Sequence, residues 1–124
     1  MENCIFCKYA KENEVLCHTD LCFAIYDEFP VSKGHTLIIP YRHISDYREL
    51  DETTKKHMWT LVDHVINTLT TLFHPDGFNV GINMGEAAGQ SVQHVHIHVI
   101  PRYKGDVENP RGGVRGVIPN KQNY

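Results

Sequence analysis

One hundred and twenty-four residues make one domain, long enough to bury about two-thirds of its unfolded surface without disulfide staples. With 41% hydrophobic and 22% charged residues the chain is neither disordered nor low in complexity, and a net charge of −3 argues against a general phosphate-backbone binder, so no nucleic-acid partner is expected. No apolar run approaches the roughly 20 residues of a membrane helix, and the start Met-Glu-Asn-Cys lacks a basic region before an apolar core; the expectation is a soluble cytoplasmic protein with no membrane partner.

In chain order, residues 15–18 and 21–26 read as two short strands joined by a tight turn at Thr19-Asp20. Residues 27–34 form a loop punctuated by Pro30 and Gly34, and 35–39 a third strand ended by Pro40. A short helical turn is predicted over 45–50, and a long helix over 52–73, where Met58, Leu61, Val62, Val65, Leu69 and Leu72 recur at spacings of three and four. Asp51 is its candidate N-cap and Pro75-Asp76-Gly77 its stop. Strands follow at 78–84 and 93–100, separated by the small-residue loop from Gly85 to Gly89. The tail carries Gly112, Gly113, Gly116 and Pro119 and reads as irregular, with a short strand at 114–118. Hairpin-like strands around one long helix predict an α+β fold, an antiparallel five-stranded sheet with a long and a short helix. The domain is expected over residues 1–106, with 107–124 as its C-terminal tail.

Nine histidines are many for this length, and three of them lie in His94-Val95-His96-Ile97-His98-Val99-Ile100-Pro101. Strand alternation places His94, His96 and His98 on one face, and Val95, Ile97 and Val99 on the other, under the long helix. Three readings of this face are open: a solvated histidine-rich surface, a three-histidine zinc site, or an imidazole nucleophile with an acid beside it. Upstream, residues 83–91 supply a glycine-containing loop with Asn83 and Ser91 as donors, an arrangement that suits an anion. Cys4 and Cys7 form a Cys-x-x-Cys, half a zinc site by spacing; free thiols or a redox pair are the alternatives. Cys17 and Cys22 have no partner motif and read as core or surface thiols.

The His-φ-His-φ-His-φ-φ run resembles the signature of the histidine triad (HIT) superfamily, in particular the bacterial type with an N-terminal Cys-x-x-Cys. Cys4-Ile5-Phe6-Cys7, Gly34 to Pro40, Arg42-His43, Gly77 to Gly81 and Ala88 to Val92 look like further landmarks in the same order, so the resemblance spans residues 1 to about 106. It implies a HIT-like fold and a nucleotide-binding hydrolase or transferase. Such an enzyme cleaves an α-phosphate bond of a dinucleoside polyphosphate or an adenosine phosphoramidate and releases AMP; a nucleotide-binding signalling module with negligible turnover is the alternative. His96 resembles the nucleophile that forms a nucleotidyl-imidazole, His98 the group beside the phosphate and leaving group, and His94 the first triad member. His35 matches a fourth, supporting histidine. Asp27 matches the ribose-binding residue, while Asn83, Gln90 and Ser91, with His98, match phosphate and leaving-group contacts. Ile5, Phe6, Phe23 and Ile25 are equally base wall or core.

The resemblance also pairs Cys4 and Cys7 with His43 and His94 as a closed, structural zinc site, and implies a purine nucleotide (AMP-type) ligand and a homodimer. Arg111 and Arg115 in the tail are candidates to reach a polyphosphate over the site of the same or a partner subunit.

Overall fold

The computed structural model describes residues 3–12 and 14–124; Met1, Glu2 and Asn13 lie outside the described residues. An N-terminal helix α1 (Ile5–Glu12) precedes strands β1 (Cys17–His18), β2 (Cys22–Tyr26) and β3 (Thr36–Pro40). The long helix α2 (Glu52–Phe73) leads to β4 (Gly77–Gly81) and β5 (Ile97–Arg102). The five strands form one sheet in the order β1-β2-β3-β5-β4, and every neighbouring pair is antiparallel. The α+β architecture expected from the sequence is the one observed.

Each face of the sheet carries its own core. On one, Met58, Leu61, Val62, Val65 and Leu69 of α2 pack on Cys22, Ala24, Ile38, Val95, Ile97 and Val99. On the other, Phe6 and Tyr9 of α1 pack on Phe23, Ile25, Leu37 and Ile39. Burying a side chain of the size of Leu69 contributes about 1.5–3 kcal/mol, so the α2 row anchors the sheet from behind and leaves the α1 face for chemistry. The apolar row ends sooner than its periodicity suggests: Leu72 is 56% exposed, because α2 stops at Phe73. The stop is His74 in the left-handed region at φ 51°, its N–H donating to the Thr70 carbonyl, with Pro75 next.

Four expectations are corrected. Residues 5–12 are a helix that the sequence reading left unassigned. The last strand begins at Ile97, not at 93, so His94 and His96 precede it. The cause is Pro40. The Tyr41 N–H points to the Leu21 carbonyl on the β2 side, so by alternation the nitrogen of Pro40 faces β5, where proline has no hydrogen to give. Pairing between β3 and β5 runs only from Thr36↔Val99 to Ile38↔Ile97. β4 also ends early, its last pair being Gly81↔His98, so it stops at Gly81 instead of Met84. In the tail, 114–118 is no strand: Gly112 and Gly113, at φ 90° and 48°, turn the chain into 3-10 turns over Gly113–Val117 and Pro119–Lys121.

The loop from Asp27 to His35 is fixed at both ends. Asp27 N–H donates to the His35 carbonyl at 2.9 Å and His35 N–H to the Ser32 carbonyl at 3.1 Å. Ser32 Oγ and Tyr103 Oη donate to the Pro101 and Lys33 carbonyls, each at 2.6 Å. Gly34 stands at φ +93°, and a Cβ there would lie 2.9 Å from the Phe73 ring. Glycine is what lets the chain turn into β3 while α2 packs against it.

Candidate functional site

The site lies on the α1 face, where the loop before β3, the segment before β5 and α1 meet. A cleft of about 570 Å³ is lined by Ile5, Phe6 and Tyr9 of α1, by Asp27 and His35, and by Asn83, Ser91, His96 and His98, among others. Phe23 and Ile25, open between base wall and core, lie in the core beneath α1 at 0% and 2% exposure.

Three histidines two residues apart take three different surroundings. His94 is buried, and its Nε2–H donates to the Pro40 carbonyl at 2.7 Å. That carbonyl belongs to the residue whose missing N–H ended the strand pairing. The bond leaves the lone pair of His94 on Nδ1, which lies 3.4 Å from Cys4 Sγ and 3.6 Å from Cys7 Sγ. His96 turns the opposite nitrogen to the backbone: its Nδ1–H donates to the His94 carbonyl at 2.9 Å, leaving Nε2 as a free base. Burial lowers the pKa of His96 below the usual imidazole range, so the ring is neutral near pH 7.

The tautomer of His98 is set through His35. Val31 N–H donates to His35 Nδ1 at 3.2 Å, so a neutral His35 carries its proton on Nε2. That nitrogen is 2.9 Å from His98 Nδ1 and 3.5 Å from Asp27 Oδ2. His98 therefore accepts at Nδ1 and carries its own proton on Nε2. Burial first, then the neighbouring His96 and His35, push the pKa of His98 down to about 4, and burial also lowers that of His35. Asp27 Oδ1 accepts the Phe29 N–H at 2.8 Å, which fixes the carboxylate at the cleft edge.

Cys4, Cys7, His43 and His94 bring four ligand atoms within 4.8 Å of one another, and Cys7 Sγ is 3.3 Å from His43 Nδ1. In a tetrahedral zinc site, bonds of about 2.3 Å to sulfur and 2.0–2.1 Å to nitrogen put S and N about 3.6 Å apart. The observed S···N separations of 3.3, 3.4 and 3.6 Å fit that tetrahedron before any rearrangement. Two thiols and two imidazoles are also the donor set zinc prefers. Asp27, His35 and His98 converge as closely, but the 2.9 Å between the two imidazole nitrogens is a hydrogen bond. Two nitrogens on one zinc would stand about 3.3 Å apart. A single zinc held by all three triad histidines does not fit either, since His94 turns its free nitrogen to the cysteines and His96 its free nitrogen to the cleft.

Asn83 and Ser91 are exposed on the cleft, as an anion contact requires. Gln90 has a different placement from the one expected. Its Oε1 accepts the Gly85 N–H at 2.9 Å and its Nε2 donates to the Ser45 and Val92 carbonyls at 2.8 and 3.2 Å. It buckles the 83–91 loop to the neighbouring segment and has no side-chain atom facing the cleft. Arg111 and Arg115 are not among the cleft-lining residues. Both stack on Tyr124, and Arg115 donates to the Lys121 and Gln122 carbonyls. Sequence reasoning missed Pro40 and Val31, whose backbone groups orient two of the histidines. It also left Phe6 undecided, whose ring stands edge-on to His96 at 4.8 Å between centroids.

The chain is similar to known proteins in both sequence and fold. The family model described as "HIT domain" matches residues 8–105. The AP-4-A phosphorylase of Mycobacterium tuberculosis is 33% identical over 97 residues, 77% of this chain; the chain spans only 50% of that relative's length. The bis(5'-adenosyl)-triphosphatase of Dictyostelium discoideum is 35% identical over 80% of this chain and 66% of its own. Among solved structures, a HIT family protein from Bacillus anthracis superposes with a TM-score of 0.79 at 38% identity, covering 85% of this chain and 77% of that one. A Zn-bound histidine triad family protein from Mycobacterium smegmatis gives 0.77 at 32% identity, covering 85% and 78%.

Proposed function

The chain belongs to the HIT domain family, and on that premise we propose that it is a nucleotide-binding hydrolase or transferase that cleaves an α-phosphate bond through a nucleotidyl-His96 intermediate. The observation that carries the reading is the His96 ring: neutral, tied to the His94 carbonyl through Nδ1–H, with Nε2 free in a cleft that also holds His98. Nε2 attacks the α-phosphorus, and the bond from phosphorus to the leaving group breaks. The Nε2–H of His98 donates a hydrogen bond to the departing atom and stabilises its charge; a leaving amine takes its proton from solvent. Because Nδ1 keeps its proton, the adduct is an imidazolium, a good leaving group in its turn. Water then attacks the same phosphorus, loses its proton to solvent, displaces the neutral imidazole and releases AMP.

Asp27 suits a ribose, since its carboxylate accepts hydroxyl donors, and Asn83 and Ser91 suit phosphate oxygens. Ile5, Phe6 and Tyr9 offer an apolar wall for a purine. The two relatives named for diadenosine compounds support a dinucleoside polyphosphate as substrate, with an adenosine phosphoramidate as the second candidate. Cys4, Cys7, His43 and His94 would hold zinc, which in a closed site of two thiolates and two imidazoles is structural. A second copy of the chain is the partner this reading expects: Trp59 on α2 and Leu72 at its end are 41% and 56% exposed, and β4 ends the sheet as an unpaired edge. Among the described residues no helix is long and apolar enough to cross a membrane.

The test offers purified protein diadenosine tetraphosphate and an adenosine 5′-phosphoramidate in separate assays, with His96→Ala as the control. AMP release by the wild type and not by the folded variant is the expected result. AMP binding without cleavage of either compound would replace the enzyme with a binding module.

A further inference from the structure

Where the sheet stops holding the chain, something else must hold the nucleophile. His96 lies one residue before β5, beyond the last β3–β5 pair, Ile38↔Ile97. The backbone tie in this segment is Val95 N–H to the Ile44 carbonyl, at 2.8 Å. Besides the His98 ring, edge-on at 4.9 Å between centroids, two contacts fix the imidazole. One is the bond from Nδ1–H to the His94 carbonyl. The other is the Phe6 ring, 4.8 Å away at 82°, an edge-on arrangement worth about 0.5–1.5 kcal/mol beyond its buried area.

Both contacts lead to the same place. His94 supplies the carbonyl and also reaches Cys4 and Cys7 through Nδ1. Phe6 sits in the chain between those two cysteines, 5% exposed, and its ring also meets that of His94 at 6.0 Å. An eight-residue helix is far shorter than the roughly 12–15 residues an isolated helix needs, so α1 depends on its attachments to keep Phe6 in place. We propose that Phe6 is a positioning residue for His96, and that the Cys4, Cys7, His43 and His94 cluster, when it holds its metal, sets both Phe6 and the His94 carbonyl. The cluster and the nucleophile then form one mechanical unit, and metal occupancy controls turnover without the metal touching substrate. The inference rests on His96 being the nucleophile.

The experiment combines two perturbations with two readouts. Phe6→Leu keeps an apolar wall and helix propensity but removes the ring; Phe6→Met is the second variant should the first fold poorly. Chelation of the wild type is the other perturbation, with access through the cavity that Cys4 and His43 line. The readouts are kcat set against AMP affinity, and the protonated nitrogen of His96 read by long-range ¹H–¹⁵N NMR at fixed pH. The expected result for Phe6→Leu is a kcat lower by about tenfold or more with the AMP Kd changed less than about threefold. The His96 ring of the wild type, protonated at Nδ1 alone, becomes a mixture of tautomers in the variant and in chelated protein. A raised Kd with unchanged kcat makes Phe6 a base wall only and overturns the proposal. So does an unchanged His96 spectrum in both perturbed proteins. A spectrum that changes in the variant but not on chelation overturns the role of the metal. If the wild type turns nothing over, the hydrolase reading fails and the NMR result alone decides the positioning claim.

Discussion

His35 makes two bonds through opposite ring nitrogens, and two substitutions separate them. Nδ1 accepts the Val31 N–H at 3.2 Å, and Nε2–H donates to His98 Nδ1 at 2.9 Å. An asparagine amide reaches about as far as Nδ1 and a glutamine amide about as far as Nε2. His35→Asn therefore keeps an acceptor for Val31 and removes the donor to His98; His35→Gln does the reverse. His35 is 3% exposed and His98 half-buried, so an unpaired His98 nitrogen costs about 1–3 kcal/mol, whereas Val31 is 71% exposed and its N–H can turn to water. In His35→Asn that cost falls on His98 Nδ1. The His98 ring then takes its proton onto Nδ1 in part of the population and loses the Nε2–H aimed at the leaving group. At 1.36 kcal/mol per tenfold, the adenylylation rate falls about 10- to 100-fold. In His35→Gln only the bond from the exposed Val31 N–H is lost, so stability falls by about 1 kcal/mol or less and the rate stays within about fivefold of wild type.

The assay is rapid-quench single turnover with diadenosine tetraphosphate, following the first AMP transferred, beside thermal unfolding of each variant. Wild-type adenylylation in His35→Asn would show that His98 needs no help in choosing its tautomer. Equal damage in both variants would show that His35 acts through the fold of its loop and not through His98.

Three further outcomes follow from the same coordinates. His98 titrates at about 4 in the folded chain and near 6.5 unfolded, so the unfolded state binds the extra proton between those values and stability is full above about pH 6.5 and lost as pH falls toward 4; the unfolding midpoint should drop between pH 7 and 5, and a His98→Gln protein with the same drop would refute that source. Gly34→Ala must place a Cβ at φ +93° and 2.9 Å from the Phe73 ring, costing about 2–3 kcal/mol, read as a Tm lower by about 10 °C; an unchanged Tm would mean the loop relaxes freely. Metal analysis should find one zinc per chain in the wild type and none in the Cys4→Ala/Cys7→Ala double variant; zinc retained there would move the site away from this cluster.

The antiparallel sheet and α2 were legible because their signals are local: apolar spacing, turns and prolines. The three triad positions were legible for the same reason, as spacing, but their conformation was not. Alternation along a strand predicts three equivalent imidazoles, and Pro40, more than fifty residues earlier, removes the strand pairing from two of them. No pattern around residue 94 carries that information. α1 was missed because two turns are too few for the spacing of Ile5, Phe6, Tyr9 and Ala10 to read as a periodic pattern, and its stability comes from Phe23, Leu37, His43 and His94, all remote in sequence. Gln90 shows the opposite case: the family resemblance implies a phosphate or leaving-group contact, whereas three internal hydrogen bonds engage both ends of its amide.

The loss of strand pairing also explains how adjacent residues of one type can do unlike work. An imidazole has two nitrogens, and whichever one is tied to a fixed partner decides what the other can be. His94 ties Nε2 to Pro40 and is left with a ligand nitrogen toward the thiols. His96 ties Nδ1 to the His94 carbonyl and is left with a basic nitrogen in the cleft. His98, inside β5, ties Nδ1 to another imidazole and is left with a donor. Had the strand run on through residue 94, the His94 carbonyl and the Pro40 carbonyl would face regular ladder partners, and neither ring would find the acceptor that selects its tautomer. A proline at the end of β3 thus supports the division of labour by ending the strand early, and a residue with an N–H at position 40 should shift the protonated nitrogen of His94 and His96 before it perturbs the rest of the sheet. Pro40→Ala, read by histidine ¹H–¹⁵N NMR, is the direct measurement; both rings keeping their present tautomers would separate the triad's chemistry from the break in the ladder.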